Sequence, residues 1–276
     1  MNKNKRRTIM TAVIAGILSA ATVLSLAGCS KTDSKSETSR PSAAESGISG
    51  TEIQNDNKGA DFSNIPTTTL LGESPEWVTK LDAAKNADQL FVVAAHDKTT
   101  AWVSMHEKDK NGKWQMIMTT PGYIGREGLG KTKEGDGKTP VGTFGFNAAF
   151  GIADDPGCAI PYTKVDENTY WSGDIRDGMQ YNRMVDIKDY PDLDKDSSEH
   201  IIDYTRHYQY CLNISYNQEC KTDAGSAIFL HCLGPNKPYT GGCVAIPENQ
   251  MKLVMQKVKP DCAVIIDSLE HLGGSF

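Results

Sequence analysis

The stretch IFLHCLGPNKPYTGGCVAIP, residues 228–247, decides the reading of this chain. An apolar run, Ala227–His231, ends in an imidazole, and a loop rich in Gly, Pro and Asn follows. Thr240-Gly241-Gly242-Cys243 then opens a second apolar run, Cys-Val-Ala-Ile. Both runs have strand character. A loop of this composition lets the chain double back, so that His231 and Cys243 come to the same end of adjacent strands. Only a thiolate attacks a carbonyl well, and an imidazole within hydrogen-bond reach can take the thiol proton to form a thiolate–imidazolium pair. Gly241 and Gly242 place no side chain in the way of a substrate backbone, and their N–H groups can face an oxyanion. The alternative is a plain structural turn containing a cysteine.

The surrounding strands suit such a site. Gln89–Ala95, Thr100–Glu107, Trp114–Thr120, Val141–Phe146, Tyr208–Tyr216, Ala227–His231 and Ala263–Ser268 all read as strands, and KDKNGK at 108–113 is a hairpin turn. Helical pattern is sparse. Pro75–Lys85 is one candidate, with Ser74 as N-cap. Pro247–Lys259 is the other, its Met251, Val254, Met255 and Val258 forming an apolar stripe. Residues 158–198, rich in Asp, Tyr, Gly and Pro, read as long ordered loops over a sheet.

The N-terminus reads as an export signal. MNKNKRR is basic, residues 8–28 are largely apolar and uncharged, and Leu26-Ala27-Gly28 precedes Cys29. This resembles a bacterial lipobox and implies lipidation of Cys29; a transmembrane anchor is the other reading of an apolar run this long. Removing residues 1–28 takes away Lys3, Lys5, Arg6 and Arg7 and no acids, moving the formal net charge from −6 to −10. An acidic exported chain without a basic stripe argues against nucleic acid. Residues 29–74 are mostly polar and read as a tether, with a span of about 35–40 Å. Residues 75–276 then form one domain.

Of the six cysteines beyond Cys29, Cys211, Cys232 and Cys262 lie in or beside apolar strand patterns and read as buried free thiols. A Cys211–Cys220 bridge across a hairpin is an alternative. A zinc site from His207, Cys211, His231 and Cys232 is disfavoured, because adjacent strand residues point to opposite faces.

Two segments together resemble the L,D-transpeptidase (YkuD-type) catalytic domain family: His231…Thr240-Gly241-Gly242-Cys243-Val244, and GYIGREGLGKTKEGDGKTPVGTFGF at 122–146. The likeness covers about residues 88–268. It implies a mainly β fold with a few short helices, a β-sandwich catalytic domain without metal or organic cofactor. Cys243 would attack the carbonyl joining a diamino acid to D-Ala in a peptidoglycan stem, releasing D-Ala and leaving a thioester. His231 would serve as base and then acid, oriented by the backbone carbonyl of Cys232, with the N–H groups of Gly242 and Cys243 as oxyanion hole. A second stem's amine would complete a 3–3 cross-link. The partners implied are donor and acceptor stem peptides, and the membrane through a lipid on Cys29, for a monomeric protein facing the cell wall.

The familiar motif reads Ser-His-Gly-Cys, then an apolar residue, then Arg; here Gly241 and Ala245 stand in the His and Arg positions. Arg126, Lys138 and Arg183 are the candidates for replacing that cation, with Gly241, Tyr181, Asn182 and Trp171 as further substrate contacts. His96, His106, His200, His207 and His271 read as surface or packing residues. The competing functions are a carboxypeptidase that resolves the thioester with water, a silent wall-binding lipoprotein, and a sortase-like transpeptidase. The last needs an Arg beyond its cysteine, and none follows Cys243.

Overall fold

The computed structural model describes residues 72–235 and 237–275. Cys29, the signal and nearly all of the expected tether lie outside the described residues.

The strand Gln89–Ala95 shows how the core is organised. Phe91 and Val93 face the main core, whereas Leu90, Val92 and Ala94 pack into a second cluster with Val78, Trp102 and Ile265. A strand buried on both faces reads as a continuous apolar run, which is what QLFVVAA is. In chain order the strands are β1 (Gly72–Glu73), β2 (Gln89–Ala95), β3 (Thr100–Lys108), β4 (Trp114–Tyr123), β5 (Gly142–Phe144), β6 (Phe146–Gly151) and β7 (Tyr162–Lys164). They continue with β8 (Thr169–Trp171), β9 (Met184–Asp186), β10 (Glu199–His200), β11 (Cys211–Ile214), β12 (Phe229–Cys232), β13 (Val244–Ile246) and β14 (Ala263–Ser268). Eleven strands make one sheet in the order β5-β14-β2-β3-β4-β13-β12-β11-β6-β7, with β1 on β4; β10, β8 and β9 make a second sheet.

The large sheet curls onto itself. Phe91 of β2 and Phe146 of β6 stand far apart in the strand order, yet their rings meet edge-on at 5.4 Å. In mid-sheet β4 and β13 are joined by a single pair, Ala245 with Tyr123. Gly122 allows it, since a Cβ there would sit 2.8 Å from Val103 and 2.9 Å from the Ala245 carbonyl. The fold is thus mostly β, its two packed layers being halves of one curled sheet, with few short helices. Helix α2 (Glu248–Lys257) lays Met251, Val254 and Met255 into the core against β12 and β4. Each such burial is worth about 1.5–3 kcal/mol.

Several expectations change. Pro75–Lys85 is not one helix: α1 covers Glu76–Thr79, Leu81 is extended, and a 3-10 turn spans Asp82–Lys85. Ser74 is not its cap, because its hydroxyl bonds Nδ1 of buried His106 at 2.9 Å. Strand β4 runs through Pro121, which reading from the sequence places beyond its end; there β13 has not yet joined, so no ladder N–H is needed. Val141–Phe146 splits into β5, an edge strand, and β6, near the other end of the strand order between β11 and β7. Residues 158–198 hold β7, β8 and β9 rather than loops alone. Cys211 and Cys220 are both free thiols.

Candidate active site

Strand β12 alternates: Leu230 and Cys232 point into the main core, Phe229 and His231 to the opposite face. β13 runs parallel to it, with Leu230 opposite Val244 and His231 opposite Ala245. The strands are therefore not a doubled-back hairpin, and the loop returns the chain along their whole length. By this register Cys243 lies level with Phe229, on the same face as His231 and two residues, or about 7 Å, along the strands from it.

The loop carrying the thiol is clamped from the GDGKTP segment. Thr139 accepts a hydrogen bond from the Gly125 N–H (2.8 Å), and its hydroxyl donates to the Gly242 carbonyl (2.8 Å). Thr240 Oγ1 donates to the Cys243 carbonyl at 2.7 Å. Gly242 has φ +146°, and a Cβ there would meet the Lys138 carbonyl at 2.8 Å, so only glycine fits between the two loops. Behind them lies a buried ion pair, Lys131 Nζ to Asp136 at 3.0 Å. Burial alone would raise the Asp136 carboxyl, but the N–H groups of Thr132 and Lys138, with Lys131, hold it well below the usual range.

His231 Nδ1–H donates to the Cys232 carbonyl at 2.8 Å, which leaves Nε2 as the unprotonated nitrogen. Burial, with the neighbouring His207, lowers its pKa to about 4. The Cys243 thiol donates to the Ala227 carbonyl (3.2 Å) and accepts from the Phe229 N–H (3.3 Å). Burial, reinforced by the charge of Glu199, pushes that thiol up to about 12. The apolar surround thus disfavours both the free thiolate and the imidazolium. Gly242 also differs from expectation. Its N–H is engaged by Thr240 Oγ1 at 3.1 Å and does not stand open to an oxyanion.

A cavity of about 530 Å³ opens at Cys243 and His231. Of the expected substrate contacts, Arg126, Gly241 and Trp171 line it. Lys138 touches the site through its backbone carbonyl under Gly242. Arg183 is spent on the carbonyls of Asn182 (3.1 Å) and Gln218 (2.7 Å). Tyr181 stands behind the wall, its hydroxyl donating to Glu134 at 2.6 Å. Asn182 is a positioning residue: its Oδ1 accepts from Trp171 Nε1 (3.0 Å) and from the Ala227 N–H (3.1 Å), fixing the residue whose carbonyl holds the thiol.

Reading the sequence missed Glu199, Tyr204, Tyr208 and Lys131, all in the cavity wall, and set aside His207, whose ring meets that of His231 at 5.9 Å. No motif marks them; His207 alone, as a titratable ring near the motif cysteines, gave a usable signal. Among the described residues no group of three or more His, Cys, Asp or Glu is placed to hold a metal ion, and no helix is long and apolar enough to cross a membrane.

The model of the YkuD family, the L,D-transpeptidase catalytic domain, matches residues 88–266, and the chain belongs to this family. No curated protein matches. Among solved structures the chain is similar to the helical cell shape determining protein Pgp2 from Campylobacter jejuni (16% identity, 66% of this chain and 48% of that one, TM-score 0.36). It is also similar to an Enterococcus faecium L,D-transpeptidase (14%, 66% and 50%, TM-score 0.30). A third is a fused amidase/peptidase and peptidoglycan-binding protein from Clostridium acetobutylicum (11%, 73% and 66%, TM-score 0.32). The chain spans about half the length of the first two.

Proposed function

We propose that this chain is a peptidoglycan L,D-transpeptidase working through a Cys243 thioester. The observation that carries the reading is the placement of a thiol and an Nδ1-tethered imidazole on one face of parallel β12 and β13, at the floor of a cavity large enough for a peptide. Substrate entry would turn the Cys243 thiol from the Ala227 carbonyl toward His231 Nε2, which takes its proton as sulfur attacks the stem carbonyl. The Cys232 carbonyl steadies the resulting imidazolium. The Cys243 N–H meets the oxyanion, joined by Gly242 if Thr240 Oγ1 releases it. His231 then protonates the departing D-Ala amine, and a second stem's amine resolves the thioester. Arg126, at the cavity wall, takes a stem carboxylate. Lipidation of Cys29 and a tether would hold the domain at the outer face of the cell membrane. Neither the reaction nor its binding requires a cofactor.

The test is incubation of the full chain in detergent micelles with a disaccharide-tetrapeptide, followed by mass spectrometry. A cross-linked dimer lacking one D-Ala is expected. Tripeptide without dimer would make the protein a carboxypeptidase, and unchanged substrate with several stem types would leave a wall-binding module.

A further inference from the structure

On that reading, the small sheet bears on the second half of the reaction. Its register places Glu199 of β10 opposite Trp171 of β8, so these two side chains share a face, and both line the cavity. The neighbouring pair, Tyr170 and His200, stack at 4.4 Å on the other face. His200 is fixed further by Asp203 (2.9 Å) and the Glu167 carbonyl (2.9 Å). The backbone that presents Glu199 is therefore held, and only one of its two faces serves the site.

Glu199 is half-buried and accepts a hydrogen bond from the Tyr208 hydroxyl at 2.7 Å. The Tyr208 ring meets that of His231 at 5.4 Å and stacks on Tyr204 at 4.6 Å. A carboxyl among Trp171, Tyr204 and Tyr208 is the composition that recognises an ammonium, by charge and by aromatic faces together. Burial pushes the carboxyl up to about 7, with Glu134 adding to the shift, so it exchanges protons near neutrality. Its charge works against the Cys243 thiolate needed to form the acyl-enzyme. A carboxylate in this place does not assist the donor step, whereas an ammonium entering the cavity would find it as a partner. Arg126 and Lys237 give the cavity separate cations for carboxylates, whereas Lys131 is held by Asp136.

We propose that Glu199, flanked by Trp171, Tyr204 and Tyr208, binds the ammonium of the acceptor and takes its proton, making this chain select an amine over water. The acceptor R–NH3+ gives one proton to the Glu199 carboxylate, and the nitrogen lone pair attacks the thioester carbonyl carbon. As the C–N bond forms and the C–S bond breaks, His231 passes a second proton from nitrogen to the departing sulfur. The products are an amide, the Cys243 thiol and a neutral Glu199, which returns its proton to solvent.

The experiment uses the full chain in detergent with a disaccharide-tetrapeptide as both donor and acceptor, and reads D-Ala release and the dimer-to-tripeptide ratio separately. Glu199→Gln is expected to release the first equivalent of D-Ala, read in a single turnover, at least as fast as wild type while the dimer-to-tripeptide ratio falls about tenfold or more. Loss of folding would lower both together. Glu199→Asp is expected to recover the ratio to within about threefold. Tyr208→Phe, which keeps the carboxyl but removes its hydrogen bond, should lower the ratio about threefold, and it decides the matter should the Gln variant not fold. A ratio unchanged in Glu199→Gln, or a parallel loss of both readouts in a folded variant, overturns the inference. Wild type that releases D-Ala and yields only tripeptide overturns it while leaving the thioester chemistry standing. Wild type that releases no D-Ala overturns the proposed function and this inference with it.

Discussion

His231 and Cys232 are adjacent on β12, yet one faces a cavity and the other the interior of the curled sheet. The contrast sharpens when Cys232 is set beside Cys243. Burial pushes both thiols up to about 12. Cys232 packs in the main core, its sulfur directed at the Tyr210 carbonyl. Cys243 shares its strand face with an imidazole and opens on 530 Å³ of space. What separates a structural thiol from a candidate nucleophile here is access and an imidazole on the same strand face.

The sharpest way to break that comparison is to remove each thiol. Cys243→Ala is expected to abolish D-Ala release, a fall of more than about 10⁴-fold, in a folded variant whose stability falls by no more than about 1–2 kcal/mol for the lost contacts to Ala227 and Phe229. Cys232→Ala is expected to cost about 1–2 kcal/mol in denaturant melts while the folded fraction keeps its turnover. Equal activity losses in the two variants would sink the assignment.

Next in size is Thr139→Val. It removes the hydroxyl that joins Gly125 to the Gly242 carbonyl and leaves buried backbone groups unpaired. Stability should fall about 1–3 kcal/mol, and misplacement of the thiol should lower kcat/KM about 10- to 100-fold. A stable variant of full activity would show that the GDGKTP clamp is not needed.

The smallest effect is on pH. His231 must be neutral to take the thiol proton, and it is neutral above about 4. The acylation rate should therefore not fall between neutrality and about pH 5, and should be lost as pH falls through about 4. Folding stability follows the same sign. An unfolded histidine binds a proton below its ordinary value of about 6.5, whereas buried His106, lowered to about 3 by desolvation, does not. Stability is present in full above about 6.5 and declines as pH falls between about 6.5 and 3, which pH-dependent denaturant melts would show. Stability unchanged across that window would remove His106 as its source.

Much of this was legible in the chain. Strands β2 and β14 match their apolar runs because both lie inside the sheet, where pattern and burial coincide. The α2 stripe fills the core as its period requires. The small sheet was not legible: β8 and β9 are three residues each and β10 two, too short for any period to show. Arg183 and Tyr181 attract a functional reading because they are polar and near a motif, but backbone carbonyls and Glu134 engage them first.

The sequence by itself determined the reactive residue types, the Thr-Gly-Gly-Cys and GDGKTP segments, and the mainly β class, because turn chemistry and apolar alternation are local properties. Tertiary structure decided that β12 and β13 run parallel, that the thiol rests on the Ala227 carbonyl, and that Glu199 comes to the cavity wall. Those facts depend on how a curled sheet brings segments distant in sequence together, and on burial, which sets each group's charge only once its neighbours are in place.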